Sequence, residues 1–420
     1  MSDRAQFRWN LLEMMRDGEA FSRPQIAEHL GTSLPTASGL ARDMLADGLL
    51  VEAGRGPSTG GRPAAIVQLN RQFAQAVGLS ISRREIVGVL TDMNGQILAR
   101  VGGRTEGEFD RQQVIEHVVR AAETLLGHDQ MRKPAGVGVG ISGIVDSEAG
   151  VSIQFPYLSD WHDVRLADLL TNRLKALVVV WNDVQAASQA EIRHGAGRLS
   201  DDFLYLHVGK GIGLGVVADG KLLRGHLGHA GELGHTVVDP NGPICHCGNF
   251  GCLESVASPP AIVAGAIDAL SRGVQSSILR QAGGRTEAIT IATILQAARK
   301  NDRLASNLLH TAADHLGQAL ANAANIVNPE LVVLGGILAG EEEGLAGASV
   351  LTDRLTRKLN HTILPALAGK TRVIVSPLGP LAAPIGAATV VIDHMLKRLA
   401  EERSDAHPVP ADDAKAADPI

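Results

Sequence analysis

The 420-residue chain has only three cysteines, at positions 245, 247 and 252. An odd count, crowded into one short stretch, excludes the disulfide framework of a small secreted domain and suits metal binding better. Long apolar runs are also missing. No stretch reaches about 18 uninterrupted apolar residues, so no transmembrane helix and no membrane partner are expected. The first residues, MSDRAQFRWN, lack the apolar core of a signal peptide. Together with the reduced thiols this predicts a cytoplasmic location. Global basicity is absent as well, since the formal net charge is −6. Any DNA-binding surface must therefore be local. What is present is 45% hydrophobic residues, 20% charged residues and 47 glycines, the balance of a globular α/β protein long enough for two or three domains.

The first 70 residues contain no lysine and read as short helices. In "FRWNLLEMMRDGE" (7–19), Phe7, Leu11, Met14 and Met15 share one helical face. "SRPQIAEHL" (22–30) has Ser22 with Gln25 three residues later, a capping box, and Pro24 in the first turn, where its missing N–H costs nothing. "GTS" (31–33) is a tight turn leading into a helix over 34–48, with Ala37, Leu40, Ala41, Met44 and Leu45 toward the core. Two strand-like runs follow, around a Gly/Pro/Ser/Thr loop. Helix, helix, tight turn, helix and hairpin is the order of a winged helix-turn-helix. Its second helix, entered through Ser33, would offer Thr36, Ser38 and Arg42 to the major groove. The stretch 53–72 holds Arg55, Arg62 and Arg71 and no acidic residue, and "GGRP" (60–63) suits insertion of Arg62 into a narrow, A·T-rich minor groove. The alternative is a glycine-rich interdomain linker.

From about residue 75 strands and helices alternate, and the plan occurs twice. "AVGLSISRREIVGVLTDMNGQILAR" (76–100) is a three-strand meander with an Asn94-Gly95 turn, and "DFLYLHVGKGIGLGVVADGKLLRG" (202–225) repeats it with Asp219-Gly220. Single buried strands follow each meander. The duplication predicts two similar α/β lobes with a cleft between them. The expected units are a winged helix over 1–72, a first lobe over 75–190, a second lobe over 191–400 and a disordered polar tail over 403–420.

His235, Cys245, Cys247 and Cys252 supply one imidazole and three thiolates, the Cys3His set of a closed structural Zn²⁺ site. Four protein ligands leave no open position for a catalytic water. Buried free thiols are the bland alternative. The strings "GELGH" (231–235) and "CHCGNFGCLE" (245–254) resemble the signature of the ROK family of repressors, open reading frames and sugar kinases, and the resemblance extends over about residues 75–395. It implies an actin-like, sugar-kinase-like (RNase H-like) two-lobed fold behind the winged helix. It further implies that Glu232, His235 and Glu254 hydrogen-bond sugar hydroxyls. Asn182 and Asp183 are expected to join them as sugar-binding residues: Asp183 falls at the position of the kinase general base and here is expected to bind sugar only; read from sequence alone, Asp183 is a helix N-cap.

Three departures from the family pattern bear on function. The D-x-G-x-T phosphate turn of family kinases reads Ser80, Ser82 and Arg84, which predicts no ATP-dependent catalysis. The usual G-T-G turn is "GKG" (209–211). Tyr157 stands where the family commonly has a ligand-touching asparagine. The chain is therefore expected to be a sugar-responsive transcriptional regulator, more in keeping with a repressor. It would bind an inverted-repeat operator with A·T-rich flanks as a homodimer or homotetramer, with a sugar or sugar phosphate as effector. The competing expectation is a sugar kinase with an appended DNA-binding domain.

Overall fold

The computed structural model describes residues 3–16, 18–55, 64–82, 85–104, 110–339 and 349–402. Arg62 and the rest of "GGRP", Arg84, and the tail over 403–420 lie outside these residues. The chain opens with α1 (Asp3–Met15), β1 (Phe21–Ser22), α2 (Arg23–Leu30), α3 (Leu34–Ala46), β2 (Leu50–Arg55) and β3 (Ala65–Leu69). The capping box forms, with the Ser22 N–H donating to Gln25 Oε1 at 2.9 Å. Ser33 caps α3, its hydroxyl accepting from the Thr36 N–H at 3.3 Å. The three strands make an antiparallel sheet in the order β1-β3-β2. Leu11, Leu12, Met15, Ile26, Ala37, Leu40, Ala41 and Met44 fill the space between helices and sheet.

Two five-stranded sheets follow. The first is built from β4 (Gln75–Ser82), β5 (Glu85–Asp92), β6 (Ile97–Arg104), β7 (Pro134–Ile141) and β11 (Val178–Asn182), in the order β11-β7-β4-β5-β6. Between β7 and β11 the chain makes a small antiparallel sheet of β8 (Ile144–Asp146), β9 (Val151–Gln154) and β10 (His162–Val164). The second large sheet has β12 (Phe203–Val208), β13 (Ile212–Ala218), β14 (Lys221–Leu222), β15 (Leu331–Gly336) and β16 (Arg372–Val375), in the order β14-β13-β12-β15-β16. Each sheet is an antiparallel meander extended, on the side of its first strand, by two parallel strands. The duplicated sequence plan is thus a duplicated topology. The two turns differ in detail. Asp219 and Gly220 both adopt positive φ, as a two-residue hairpin of the right twist requires. The Asn94-Gly95 turn is longer, and Asp92 holds it by accepting from the N–H groups of Asn94 and Gln96.

The first sheet is covered by α4 (Arg111–Leu126) and α5 (Leu166–Leu174) on one side. The second is covered by α7 (Leu253–Ala257), α8 (Pro259–Ser271), α9 (Ile278–Gln281), α10 (Ile291–Arg299), α11 (Arg303–Val327) and α12 (Ser349–Thr362). The remaining helices are α6 (Asp183–His194) and α13 (Ala382–Glu402). The second lobe expected over 191–400 does not keep its last helix: α13 packs on the first sheet. Its backbone approaches so closely that a Cβ on Gly78 would lie 1.9 Å from the Pro384 carbonyl oxygen, and one on Gly138 would lie 1.8 Å from that of Ala387. By length and composition α13 resembles a membrane span. Its apolar residues Ala388, Val391, Ile392 and Leu396 are instead buried in a core shared with α1 and the N-terminal sheet.

The N-terminal unit is therefore seated on the first lobe. Polar pairs ring the contact. Arg193 of α6 meets Glu13 of α1 at 2.6 Å, and Arg16, just past α1, is paired with Asp393 of α13. Asp393 also accepts from Gln189 at 3.1 Å. His194 lies 3.0 Å from Thr389. The Thr389 hydroxyl donates to the Ile385 carbonyl, so the His194 Nε2 carries the proton in this pair.

Candidate functional site

A cleft of about 1830 Å³ opens between the two lobes, lined by residues of both sheets, α6, α8, α11 and the loop over 230–256. That exceeds the ~300–1,000 Å³ of an ordinary small-molecule pocket. One wall is the end of β11. Asn182, not Asp183, is the N-cap of α6: its Oδ1 accepts from the N–H groups of Val184 and Gln185, and its Nδ2 donates to the Gly143 carbonyl at 3.0 Å. The cap reading of Asp183 is thus off by one residue, because two adjacent good capping residues give sequence no way to choose. Asp183 is freed to face the cleft, where Ser142 donates to its Oδ2 at 2.5 Å.

The opposite wall is the cysteine loop. His235 Nδ1 lies 3.6 Å from Cys245 Sγ, and Cys247 Sγ lies 3.7 Å from Cys252 Sγ. All four ligand atoms fall within 4.8 Å of one another. A tetrahedral metal ion with thiolate bonds near 2.3 Å needs ligand atoms about 3.8 Å apart, so the donor set and its spacing fit a metal ion. Gly251 makes the fold of this loop possible. It has φ of 64°, and any Cβ there would fall 1.5 Å from the Asp239 carbonyl oxygen.

The loop also aims the other named groups inward. With Nδ1 turned to the sulfurs, His235 Nε2 faces Glu232 at 3.9 Å. Burial lowers the His235 imidazole from its ordinary value, the direction that favours the neutral form a metal ligand needs. Glu254 begins α7 and accepts from the Ile212 N–H at 2.8 Å and from His246 Nε2 at 2.7 Å. Burial works against its charge, but these two hydrogen bonds hold the carboxyl below its ordinary value. Glu232 is pushed up, first by burial and then by the charges of Glu254 and Asp183. Three carboxylates thus converge on one part of the cleft. Such a set accepts hydrogen bonds from a neutral polyhydroxylated ligand and repels anions.

Ser80, Ser82, Tyr157 and Lys210 also line the cleft. Tyr157 stands edge-on to Phe155, ring centroids 5.1 Å apart. Three further residues were not singled out in the sequence. Ser142 holds Asp183. Arg224 reaches from the second lobe to Ser147 and lies 5.0 Å over the Trp181 ring of the first. Gln185 donates to the Gly228 carbonyl at 2.7 Å and ties α6 to the same loop. Ser142 and Gln185 stand in no motif, and Arg224 lies at the end of the 202–225 meander with nothing local to mark its role. His246 was overlooked inside a motif already read.

On the N-terminal unit, Ser33, Arg42 and Arg55 are exposed and Thr36 and Ser38 half-buried. The Thr36 hydroxyl lies 2.9 Å from that of Ser33. Ala37, Leu40, Ala41 and Met44 of the same helix are buried, so the polar residues sit on its outer side.

Comparison with known proteins separates the two parts of the chain. A xylose repressor of Caldicellulosiruptor bescii is 28% identical over 392 residues, covering 92% of this chain and 95% of the repressor. A glucokinase of Thermotoga maritima is 37% identical over 305 residues, covering 73% of this chain and 93% of the kinase. Among solved structures, a ROK family transcriptional regulator, a homologue of the E. coli MLC protein, superposes with a TM-score of 0.77 at 26% identity, over 96% of this chain and 99% of that one. The profile of the ROK family matches residues 76–394, which takes in both large sheets, the cleft and the cysteine loop, and the chain belongs to that family.

Proposed function

We propose that this protein is a sugar-responsive, DNA-binding transcriptional repressor without kinase activity. One observation carries the reading: a single chain joins a helix-turn-helix-like unit to a cleft lined by Asp183, Glu232, His235 and Glu254, and its likeness to a repressor runs through both parts. Hydroxyls of the sugar donate to the three carboxylates. His235, Cys245, Cys247 and Cys252 hold a structural Zn²⁺, which supplies fixed geometry and no chemistry. The ion keeps the loop folded so that His235, Glu232 and Glu254 stay aimed at the cleft. Asn182 acts by capping α6 behind Asp183.

On the DNA side, α3 enters the major groove with Thr36, Ser38 and Arg42 outward from its Ser33 cap. Arg55 and Arg62 follow on the wing, and Arg62 inserts in the minor groove beside each half-site of an inverted repeat bound by a homo-oligomer. The winged helix over 1–72 and lobes over 75–190 and 191–400 remain our division of the chain, with α13 returning to the first lobe. Ser80, Ser82 and Arg84 in the phosphate turn support the loss of phosphoryl transfer, because small backbone-approach positions and an acidic residue toward Mg²⁺ are missing.

The glucokinase likeness, at 37% identity, favours a second reading, an active sugar kinase with a DNA-binding unit. A thermal-shift screen of monosaccharides and sugar phosphates identifies a ligand by its raised midpoint. Incubation of that ligand with ATP and Mg²⁺ then yields no sugar phosphate under our reading, and turnover near ~1 s⁻¹ supports the kinase instead. DNA selected from a randomised library should be released on adding the sugar. Arg62→Ala should weaken that binding by about 1–3 kcal/mol per half-site and erase the preference for A·T-rich flanks.

A further inference from the structure

His246 occupies the position between two cysteines of the metal-binding loop, and its side chain turns away from them. Its Nε2 lies 2.7 Å from Glu254 Oε1, and its ring stands edge-on to that of His235 with centroids 5.1 Å apart. It lines the cleft and is half exposed. Glu254 is the more buried partner, with 15% of its side chain exposed. A glutamate has three side-chain torsions, and ordering one costs rotamer entropy. Here each carboxylate oxygen has one clamp. Oε2 takes the backbone N–H of Ile212 at the start of β13, and Oε1 takes His246. The Ile212 clamp alone leaves the carboxylate free to pivot about that hydrogen bond. The second clamp removes the pivot and fixes the directions of the remaining lone pairs.

We propose that His246 is a positioning residue of the sugar site, acting through Glu254 and not through the metal ion. Its backbone is anchored by Cys245 and Cys247 on either side, so the loop sets the orientation of Glu254 through His246. The inference rests on the sugar-binding reading of the cleft. It gives a role to the polar residue that stands between two cysteines of the string without belonging to the Cys3His set, and it identifies Glu254 as a preorganised acceptor. A preorganised acceptor pays its ordering cost in folding and not in binding.

The test is calorimetric titration of the full chain, loaded with zinc, using a panel of neutral aldohexoses and aldopentoses that includes D-glucose and D-xylose. The tightest-binding member of the panel is carried through the variants. His246→Ala should weaken it about tenfold with the bound metal unchanged. His246→Gln, whose amide also donates, should keep affinity within about threefold of the parent. In a Glu254→Gln background, His246→Ala should have no further effect. Unchanged affinity in His246→Ala overturns the proposal. So does an equal loss in both backgrounds, which makes His246 a direct ligand contact, or a loss of metal, which makes it part of the metal site. If the parent protein binds no sugar of the panel, the sugar-binding reading itself fails, an outcome distinct from the others. Should His246→Ala fail to fold, His246→Asn, which shortens the donor's reach without removing it, must fall between parent and Glu254→Gln.

Discussion

At the N-terminal end of α6, Asp183, Glu232 and Glu254 face an open cleft, with imidazoles rather than guanidinium groups beside Glu232 and Glu254. At its C-terminal end, Glu13 and Asp393 are matched by Arg193 and Arg16 and sealed between the N-terminal unit and the body. Both ends gather acids and histidines, but they differ in whether charge is already satisfied. Satisfied charge holds two surfaces together. A carboxyl such as Glu232, whose ionisation is opposed by burial and by like charges, lowers the protein's own stability and is what a protein retains for a ligand.

The largest effect is expected at the sealed end. Asp393→Ala leaves Arg16, whose side chain is only 2% exposed, without its carboxylate, and should cost about 3–5 kcal/mol in denaturant unfolding. A cost under about 1 kcal/mol would mean that the apolar core alone seats the N-terminal unit. Next comes a pH effect at the same end. Burial, reinforced by the Arg16 and Arg198 charges, pushes His194 down to about 4 from an ordinary 6.5. Between these values the unfolded chain takes up a proton that the folded chain refuses. Stability is therefore full above pH 6.5 and falls as pH drops toward 4, by roughly 3 kcal/mol in total. His194→Gln should flatten that part of the profile relative to the parent, as measured by unfolding at a series of pH values.

At the open end the sign reverses. Glu232 is raised by burial and by its acidic neighbours, so its folded-state value lies above its unfolded one and its charge costs stability once pH exceeds about 4.5. Glu232→Gln should stabilise at pH 7 by only about 0.5 kcal/mol, given how much solvent reaches it, while sugar binding is lost. A destabilised variant would move Glu232 into the same class as Asp393. The smallest change belongs to a surface that belongs to neither end. Arg42→Ala on the exposed side of α3 should alter stability by less than about 0.5 kcal/mol, yet weaken binding to library-selected DNA in a mobility-shift titration.

Much of this architecture can be read from local chemistry. Ser22 with Gln25 and Ser33 before a periodic run mark helix starts because capping is decided within four residues. The Asp219-Gly220 hairpin is likewise local, and the meander it closes reveals the repeat. The cysteine loop is legible because four ligands in one short segment have few other uses. What sequence hides is decided at a distance. An apolar helix at 382–402 carries no mark of which sheet it will cover, and its partners Gly78 and Gly138 lie roughly 250 to 300 residues earlier. Arg8 and Arg16 are buried against the usual preference of arginine because acids from other elements, Asp47 and Asp393, meet them there. Ser142 and Gln185 gain their roles only when β7 and α6 are brought beside the cleft.

The placement of α6 has a mechanical consequence. A Cβ on Gly215 would lie 1.8 Å from the Ser188 hydroxyl oxygen on one side of this helix, and a Cβ on Gly386 would lie 1.7 Å from the Ala186 carbonyl oxygen on another. The helix is therefore gripped at mid-length by a strand of the second sheet and by α13. Twelve residues at 1.5 Å each make a rod about 18 Å long. Neither contact leaves room for a side chain larger than glycine at Gly215 or Gly386. A tilt of only about 5° carries each tip through roughly 0.8 Å on that length. That distance is comparable to the margin by which the 2.6 Å ion pair at Arg193 lies inside good hydrogen-bonding range.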